Sequence, residues 1–208
     1  MMFNRVAQRA AIAAALGSFC AAATAERVDL FVYESASGGD VSGLDLWVDV
    51  IDGGSSVDFV FHNDSTIASV VTSVYFEDVS AASGLSSPSI LPGAGVDFAP
   101  GATPGDPAGS ISGFYRDWAG NLYTAGATQP SPMMGINPGE TLTISFDFSG
   151  VFSDMLAALR SDTGDFRLAQ HVQGVGPLGF SVWTTTVPAP APLALLALGG
   201  LVASRRSR

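Results

Sequence analysis

This sequence predicts an all-β fold: a single antiparallel β-sandwich, jelly-roll-like in its arrangement, with one short helix. Three observations carry the prediction. Apolar and polar residues alternate with a period of two in several segments, turn-forming residues separate those segments, and only one segment has a helical period. Residues 26–186 are long enough to form one domain with its own hydrophobic core.

The strand candidates are segments in which one face is apolar and the other is polar. The clearest is 141–148, where Leu142, Ile144 and Phe146 alternate with hydroxyl-bearing or acidic residues. Such a segment fits a strand with one face in the core and one face in water. The complete set of candidates is 28–34, 44–51, 57–62, 66–79, 141–148, 165–173 and 178–187.

Turn signals and one helical segment connect these candidates. Asn137-Pro138-Gly139 suits a type II turn, because Pro sets φ at the first central position and Gly accepts a positive φ at the second. Residues 151–160 place four apolar side chains at i, i+3, i+4 and i+7, which predicts a short helix between two strands. These side chains are Phe152, Met155, Leu156 and Leu159.

Residues 83–138 are predicted to form an elaborated Pro/Gly-rich loop region of the domain. The segment contains eight of the twelve prolines in the chain. Long loops without secondary structure are uncommon in compact domains unless they are functional or mobile. Tyr115, Trp118 and Tyr123 can stack on the apolar faces of sugar rings, so they are the candidate ligand-stacking residues. The alternative is that these rings fix the loop to the sandwich.

Residues 1–25 have the three parts of a secretory signal peptide. Arg5 and Arg9 supply the positive charge, an apolar stretch follows, and an A-x-A pattern ends at Ala25. Signal peptidase is therefore an expected partner, with cleavage between Ala25 and Glu26. The single cysteine lies before that site, so the mature domain has to form its core without disulfides.

Residues 187–208 combine a proline motif, an apolar run and an arginine cluster. The prolines fix φ and remove backbone donors, which keeps an extended motif accessible to a processing enzyme. The apolar run is marginally long enough to cross a membrane, and the terminal arginines resist translocation. We therefore predict a temporary transmembrane sorting helix that holds the domain outside the inner membrane. The motif is Val187, Pro188, Ala189, Pro190 and Ala191, and the cluster is Arg205, Arg206 and Arg208.

This tail resembles the PEP-CTERM class of bacterial sorting signals, which exosortases recognise. Its motif is similar to the VPLPA-type variant, with Ala189 in place of leucine, and the glutamate of the Pro-Glu-Pro form is absent. Segments 137–140 and 168–174 also look similar to stretches found in many proteins of this group. The resemblance implies an exosortase as partner, transient attachment to the inner membrane, and association with extracellular polysaccharide or biofilm. A membrane anchor that is never cut is the alternative for the same tail.

The predicted domain is strongly acidic. It contains all 19 aspartates and glutamates of the chain against four arginines and no lysine, a formal net charge of −15. This charge argues against nucleic acid and anionic lipid as partners, because both bind to basic surfaces. It favours divalent cations or a solvated surface. The side chains with oxygen atoms suited to Ca²⁺ in or near the loop region are Glu77, Asp78, Asp97, Asp106, Asp117 and Asn121.

The sequence carries no recognisable catalytic motif. A Ser-His-Asp triad would have to use His62 or His171, and neither lies in a nucleophile context. The segment 62–64 fits turn formation better than transition-metal binding, which needs several clustered ligands. Carboxylate pairs suited to a glycosidase are expected by chance among so many acids. We therefore expect no catalytic residue, no metal-ligand set, and no cofactor other than Ca²⁺.

The function predicted from the sequence is that of an exported, exosortase-sorted protein of the cell surface or extracellular matrix. We expect it to be non-enzymatic and associated with extracellular polysaccharide, and the sequence does not specify the ligand of its β-domain. Two alternatives come from other classes of protein. One is a secreted carbohydrate-active enzyme that uses two carboxylates, and the other is a calcium-dependent adhesion module.

Overall fold

The fold is described by a computed structural model over residues 24–35, 39–78, 83–105, 107, 121–161 and 165–186. The predicted signal peptide up to residue 23 and the predicted sorting segment 187–208 lie outside these described residues. Among the described residues, no helix combines the length and the apolar character required to span a membrane.

The described residues form eleven strands and one helix. In chain order they are β1 (Ala25–Asp29), β2 (Phe31–Ser35), β3 (Leu46–Asp52), β4 (Ser56–Asn63), β5 (Val70–Asp78), β6 (Leu85–Pro92), β7 (Phe98–Pro100), β8 (Asn121–Ala127), β9 (Thr141–Phe148), α1 (Phe152–Leu159), β10 (Phe166–Val175) and β11 (Phe180–Thr185). The first sheet has the order β1-β3-β4-β9-β6, and the second has the order β2-β11-β10-β5-β8-β7. The strands of each sheet pair in antiparallel fashion. The predicted all-β fold, built from two antiparallel sheets and one short helix, is confirmed.

The hydrophobic core lies between the two sheets and is centred on Phe59 of β4. The Phe59 ring meets Phe76 of the second sheet at 5.0 Å, Phe146 of its own sheet at 5.8 Å and Phe166 of the second sheet at 6.1 Å, measured between centroids. All three contacts are edge-to-face, the arrangement that the quadrupole of an aromatic ring favours. Aromatic rings from both sheets therefore interlock at the centre of the sandwich.

The strands with the cleanest alternation behave as predicted. Along β4, Val57, Phe59 and Phe61 are fully buried, whereas Asp58 and Val60 on the opposite face are only half-buried. Strands β3 and β9 alternate in the same way. The helix is also confirmed, with its buried face formed by Met155, Leu156 and Leu159. The apolar faces identified from sequence spacing are thus the faces that pack in the core.

The first strand candidate is divided between the two sheets. Residues 28–34 were predicted as one strand, but β1 pairs with β3 in the first sheet and β2 pairs with β11 in the second. Leu30 lies between β1 and β2, is buried in the core, and donates its backbone N–H to the carbonyl of Leu46. The alternation of apolar residues continues through this crossing, so the sequence pattern does not reveal it.

The prediction of a loop over residues 83–138 is wrong in part, because β6, β7 and β8 lie within it. Their prolines occupy positions that a sheet tolerates. Pro88 and Pro92 are in β6, an edge strand of the first sheet, and Pro100 ends β7, an edge strand of the second. An edge strand can lack N–H donors on its free side and still keep the backbone hydrogen bonds to its one neighbouring strand. Prolines at an edge are therefore compatible with strand structure.

The turn before β9 has the predicted form. Gly139 has φ of +86°, a value that glycine adopts without steric penalty, and it follows Pro138. The backbone N–H of Glu140 donates to the carbonyl of Asn137 at 2.9 Å and closes the turn. The Glu140 carboxylate accepts from the backbone N–H and from the amide group of Asn137, both at 2.9 Å. This second pair of contacts fixes the entry into β9.

Candidate functional site

The candidate site is a cavity at one open side of the sandwich, which we call the edge pocket. Its volume is about 340 Å³, near the lower end of the range for sites that bind small molecules. It lies between the two sheets and takes its walls from five different strands. The residues that line it are Phe76, Asp78, Leu85, Ser86, Pro88, Tyr123, Phe146 and Phe166.

Two features of the described strands shape this side of the sandwich. In the second sheet, the short strand β7 pairs only with residues 125–127 of β8, so the earlier part of β8 has no β7 partner. In the first sheet, β6 contains a β-bulge in which Ser87 and Pro88 lie opposite Phe146 alone. Ser87 has φ of +50°, which is uncommon for a residue other than glycine. The bulge displaces the edge strand beside the Phe146 ring.

The inner wall of the edge pocket is aromatic. Phe76, Phe146 and Phe166 are at most 5% exposed and belong to the core. Tyr123 extends this cluster outward, with its ring 5.6 Å from Phe146 and 6.0 Å from Phe76. Burial raises the pKa of the Tyr123 phenol above its usual range, so the hydroxyl stays protonated at neutral pH. This hydroxyl forms no hydrogen bond with the residues that the structure describes.

The polar groups of the edge pocket lie beside this aromatic wall. Asp78 is only 7% exposed, and among the described residues of the lining it alone carries a formal charge. One of its oxygens accepts from the Ser83 backbone N–H at 3.1 Å, and the other accepts from the Ser83 hydroxyl at 2.6 Å. These two bonds fix the orientation of the carboxylate. The site can therefore present a preorganised negative charge next to aromatic rings.

Only one of the three predicted ligand-stacking residues lies in the part of the chain that the structure describes. Tyr123 lies in β8, packs against two core rings and lines the edge pocket. Tyr115 and Trp118 lie outside the described residues.

At the predicted signal-peptide cleavage site, Ala25 is the first residue of β1 and pairs with Ile51, and Glu26 follows it. The motif at 187–191 and the arginine cluster near the C-terminus lie outside the described residues.

The carboxylates considered for calcium do not converge where the structure describes them. In that part of the chain, no three or more histidine, cysteine, aspartate or glutamate side chains form a group able to hold a metal ion. The Asp97 carboxylate accepts from the Thr128 hydroxyl at 2.6 Å, and the Glu77 carboxylate pairs with Arg167 at 2.6 Å. Asp106 and Asp117 lie outside the described residues, as does the side chain of Asn121.

The outer face of the second sheet carries buried charged and aromatic side chains. The Arg167 guanidinium of β10 and the Glu77 carboxylate of β5 face each other across the two strands, and both side chains are at most 10% exposed. On the same face the Trp183 ring lies 5.5 Å from Tyr75 and 4.6 Å from His171. Alternation in the sequence predicted a solvent-exposed outer face for such strands, whereas these side chains are buried.

The outer face of the first sheet carries a stack around Trp47. The His62 ring lies parallel to it with 3.6 Å between centroids, and the Arg27 guanidinium lies 4.5 Å from its centre. The Trp47 indole N–H donates to Asp64 at 2.9 Å. Asn63 points the other way and is fully buried, with its amide group donating to the carbonyls of Ser69 and Ile136. His62 and Asp64 thus both contact Trp47, whereas Asn63 has separate partners on the buried side.

Burial lowers the pKa of both described histidines, which favours their neutral form. Burial lowers the pKa of His171, which is stacked on Trp183, below its usual value of 6.5. Burial also lowers the pKa of His62, and the Asp49 charge opposes this shift. The His62 Nε2 atom is 3.5 Å from an Asp49 oxygen but forms no hydrogen bond with the described residues. We regard this contact as electrostatic, because a strong hydrogen bond would be shorter.

These two lowered pKa values predict that stability decreases in mild acid. The unfolded chain takes up protons on histidine near pH 6.5, whereas the folded chain resists protonation, so the free energy of unfolding falls as the pH drops below about 6.5. Urea denaturation at about pH 7.5 and about pH 5.5 measures the loss. The variant with His62→Gln and His171→Gln should lose less between these pH values. Equal losses in both proteins would contradict this explanation.

Sequence reasoning did not identify the edge pocket. Phe146 was predicted to lie on the apolar face of a strand, and Asp78 was considered only as a possible Ca²⁺ ligand. The available signal was local: residues 85–92 interrupt the alternation with two prolines, Pro88 and Pro92, and with three serines between Leu85 and Ile90. Such an interruption between regular strands is typical of a bulged edge strand. The convergence of five strands at one cavity had no counterpart in the sequence.

Comparison of the chain with protein-family models, curated proteins and solved structures gives no match in any of the three.

Proposed function

We propose that this chain is an exported, exosortase-sorted protein of the cell surface or extracellular matrix. The observation that carries the proposal is the three-part segment 187–208, in which a proline motif precedes an apolar run and an arginine cluster. In this proposal signal peptidase removes residues 1–25, the tail holds the protein transiently in the inner membrane, and an exosortase processes the motif. The displayed domain is non-enzymatic and associates with extracellular polysaccharide.

The position of the sheets supports this order of events. The described strands span Ala25–Thr185, so apart from Ala25, the first residue of β1, they lie outside the two proposed signals. The last described residue, Thr186, donates its backbone N–H to the carbonyl of Leu168 at 3.2 Å. The motif therefore begins directly after a backbone contact of the second sheet.

We also infer a jelly-roll-like arrangement of the domain. Seven of the ten connections between consecutive described strands pass from one sheet to the other. Only β3–β4, β7–β8 and β10–β11 connect strands that are neighbours in the same sheet. Repeated crossing between two sheets is typical of jelly rolls and other sandwiches with Greek-key connections. A sandwich of this kind has loops at its ends and open faces on which a ligand can bind.

Intact-mass analysis of the protein recovered from its native host tests the proposal. The expected mass lacks residues 1–25 and the segment after about Ala191. A variant with Arg205→Ser, Arg206→Ser and Arg208→Ser should lose processing at the C-terminus, because the stop to translocation is removed. Removal of residues 1–25 should continue in that variant, so it provides an internal control for export.

Three outcomes of the mass analysis count against the proposal. A wild-type mass that retains residues 192–208 would mean that the tail is a permanent anchor. A mass that retains residues 1–25 would contradict export by a cleaved signal peptide. Normal processing of the arginine variant would contradict the role of the cluster as a stop to translocation.

A further inference from the structure

We propose that the edge pocket binds an organic ammonium ion that carries one small apolar ring or chain. The proposal is independent of export and sorting, because it rests only on the geometry and charge of the residues that line the pocket. Its two parts are an apolar wall that takes the hydrocarbon portion and a carboxylate that takes the positive charge.

The apolar portion of the ligand is set by the three phenylalanines of the wall. Phe76, Phe146 and Phe166 come from three strands of both sheets and are fixed by their packing in the core. The cavity volume of about 340 Å³ matches a small ligand rather than a long polymer. A ring or short chain that packs against these side chains is removed from water and makes edge-to-face or stacked contacts with the phenylalanine rings.

The charge of the ligand follows from Asp78. This buried carboxylate is held by Ser83 through two hydrogen bonds, and the described residues of the lining include no arginine, lysine or histidine. A cation is therefore attracted both by the carboxylate and by the negative faces of the aromatic rings. An anion would meet the same carboxylate without a compensating positive group, in surroundings that are largely apolar. The pocket thus favours ammonium over carboxylate ligands.

Residues that line the pocket also offer hydrogen-bond acceptors for the N–H groups of an ammonium ion that do not bond to Asp78. The Tyr123 hydroxyl has no hydrogen-bond partner among the described residues, and the Ser86 hydroxyl is exposed at the opposite wall. Both oxygens can accept N–H donors, and an ammonium group has three. Asp78, Tyr123 and Ser86 together provide acceptors from three different strands, β5, β8 and β6.

Titration calorimetry with two matched probes tests the proposal. The full-length chain is reconstituted in lipid nanodiscs, and heats from empty nanodiscs are subtracted. Tyramine presents a ring with an ammonium group, and 4-hydroxyphenylacetate presents the same ring with a carboxylate. We expect tyramine to bind at least about tenfold more tightly than the carboxylate probe, since one charged hydrogen bond distinguishes them.

Three variants assign the binding to the edge pocket. Asp78→Asn keeps the shape and, through its amide oxygen, can keep the bond from the Ser83 backbone N–H, but it removes the charge. It should weaken tyramine about tenfold. Ser86→Phe places a ring at the wall of the pocket and should abolish binding. Ser89→Phe is the matched control, because Ser89 is an exposed residue of the same strand outside the pocket lining, and it should bind tyramine as the wild type does.

The proposal is overturned if the wild type binds neither probe, or binds the carboxylate probe as tightly as tyramine. It is also overturned if Ser86→Phe leaves tyramine binding unchanged while circular dichroism shows a folded protein. The mass analysis described for sorting has its own outcomes, so failure of one proposal leaves the other standing.

Discussion

Replacing Phe59 with alanine is expected to lower the free energy of unfolding by about 3–5 kcal/mol. Phe59 is fully buried, and its ring makes edge-to-face contacts with phenylalanines of both sheets. Truncation removes the apolar burial of the ring and leaves a cavity at the centre of the sandwich, which rigid strands fill only in part. Urea denaturation followed by tryptophan fluorescence measures the change.

The control for this prediction is Val60→Ala on the same strand. Val60 lies next to Phe59 but points to the outer face of the first sheet, where it is half-buried. We expect this variant to lose about 1 kcal/mol or less, the range typical of substitutions away from the core. Comparable losses at the two positions would mean that the buried face of β4 is assigned incorrectly.

Replacing Glu77 with glutamine is expected to lower the free energy of unfolding by about 3–5 kcal/mol. The Glu77 carboxylate lies 2.6 Å from the Arg167 guanidinium, and both side chains are buried on the outer face of the second sheet. The variant removes the negative charge that faces the guanidinium while the positive charge remains buried, so the desolvation of that charge is offset less well. Urea denaturation at neutral pH measures the loss.

Two further variants separate charge pairing from packing at this position. The double variant Glu77→Gln with Arg167→Met removes both charges, so it should lose less than the single Glu77→Gln variant. Glu26→Gln breaks the exposed pair between Glu26 and Arg160, whose side chains are 44% and 45% exposed, and should lose about 1 kcal/mol or less. A double variant that is less stable than the single variant would contradict the buried-charge explanation.

The sequence predicted those parts of the fold that depend on local periodicity. Strands β3, β4 and β9 follow from alternation, and α1 follows from four apolar residues at helical spacing. It did not predict β6 and β7, because prolines and serines obscure the alternation in strands at the sheet edges. It also did not predict that the chain changes sheets at Leu30, because a crossing leaves the alternation intact.

The candidate site was less accessible to sequence reasoning than the fold. Tyr123 was selected as an aromatic residue of a supposed loop, and it lies in a strand that lines the edge pocket. The other walls come from residues far apart in the chain, such as Phe76 and Phe166, whose role at a cavity depends on strand order. Asp78 had been weighed only as a calcium ligand, whereas its carboxylate is held by Ser83 beside aromatic rings.

By itself, the sequence determined the all-β class, the positions of the most regular strands, the acidic charge of the domain, and the two terminal segments on which export and sorting are proposed. The tertiary structure alone decided which strands are neighbours, where the chain passes between sheets, and which polar side chains are buried. Glu77 and Arg167 show the difference, because each occupies a strand position whose pattern does not specify its partner. Alternation is a property of adjacent residues, whereas pairing and burial depend on contacts between distant parts of the chain.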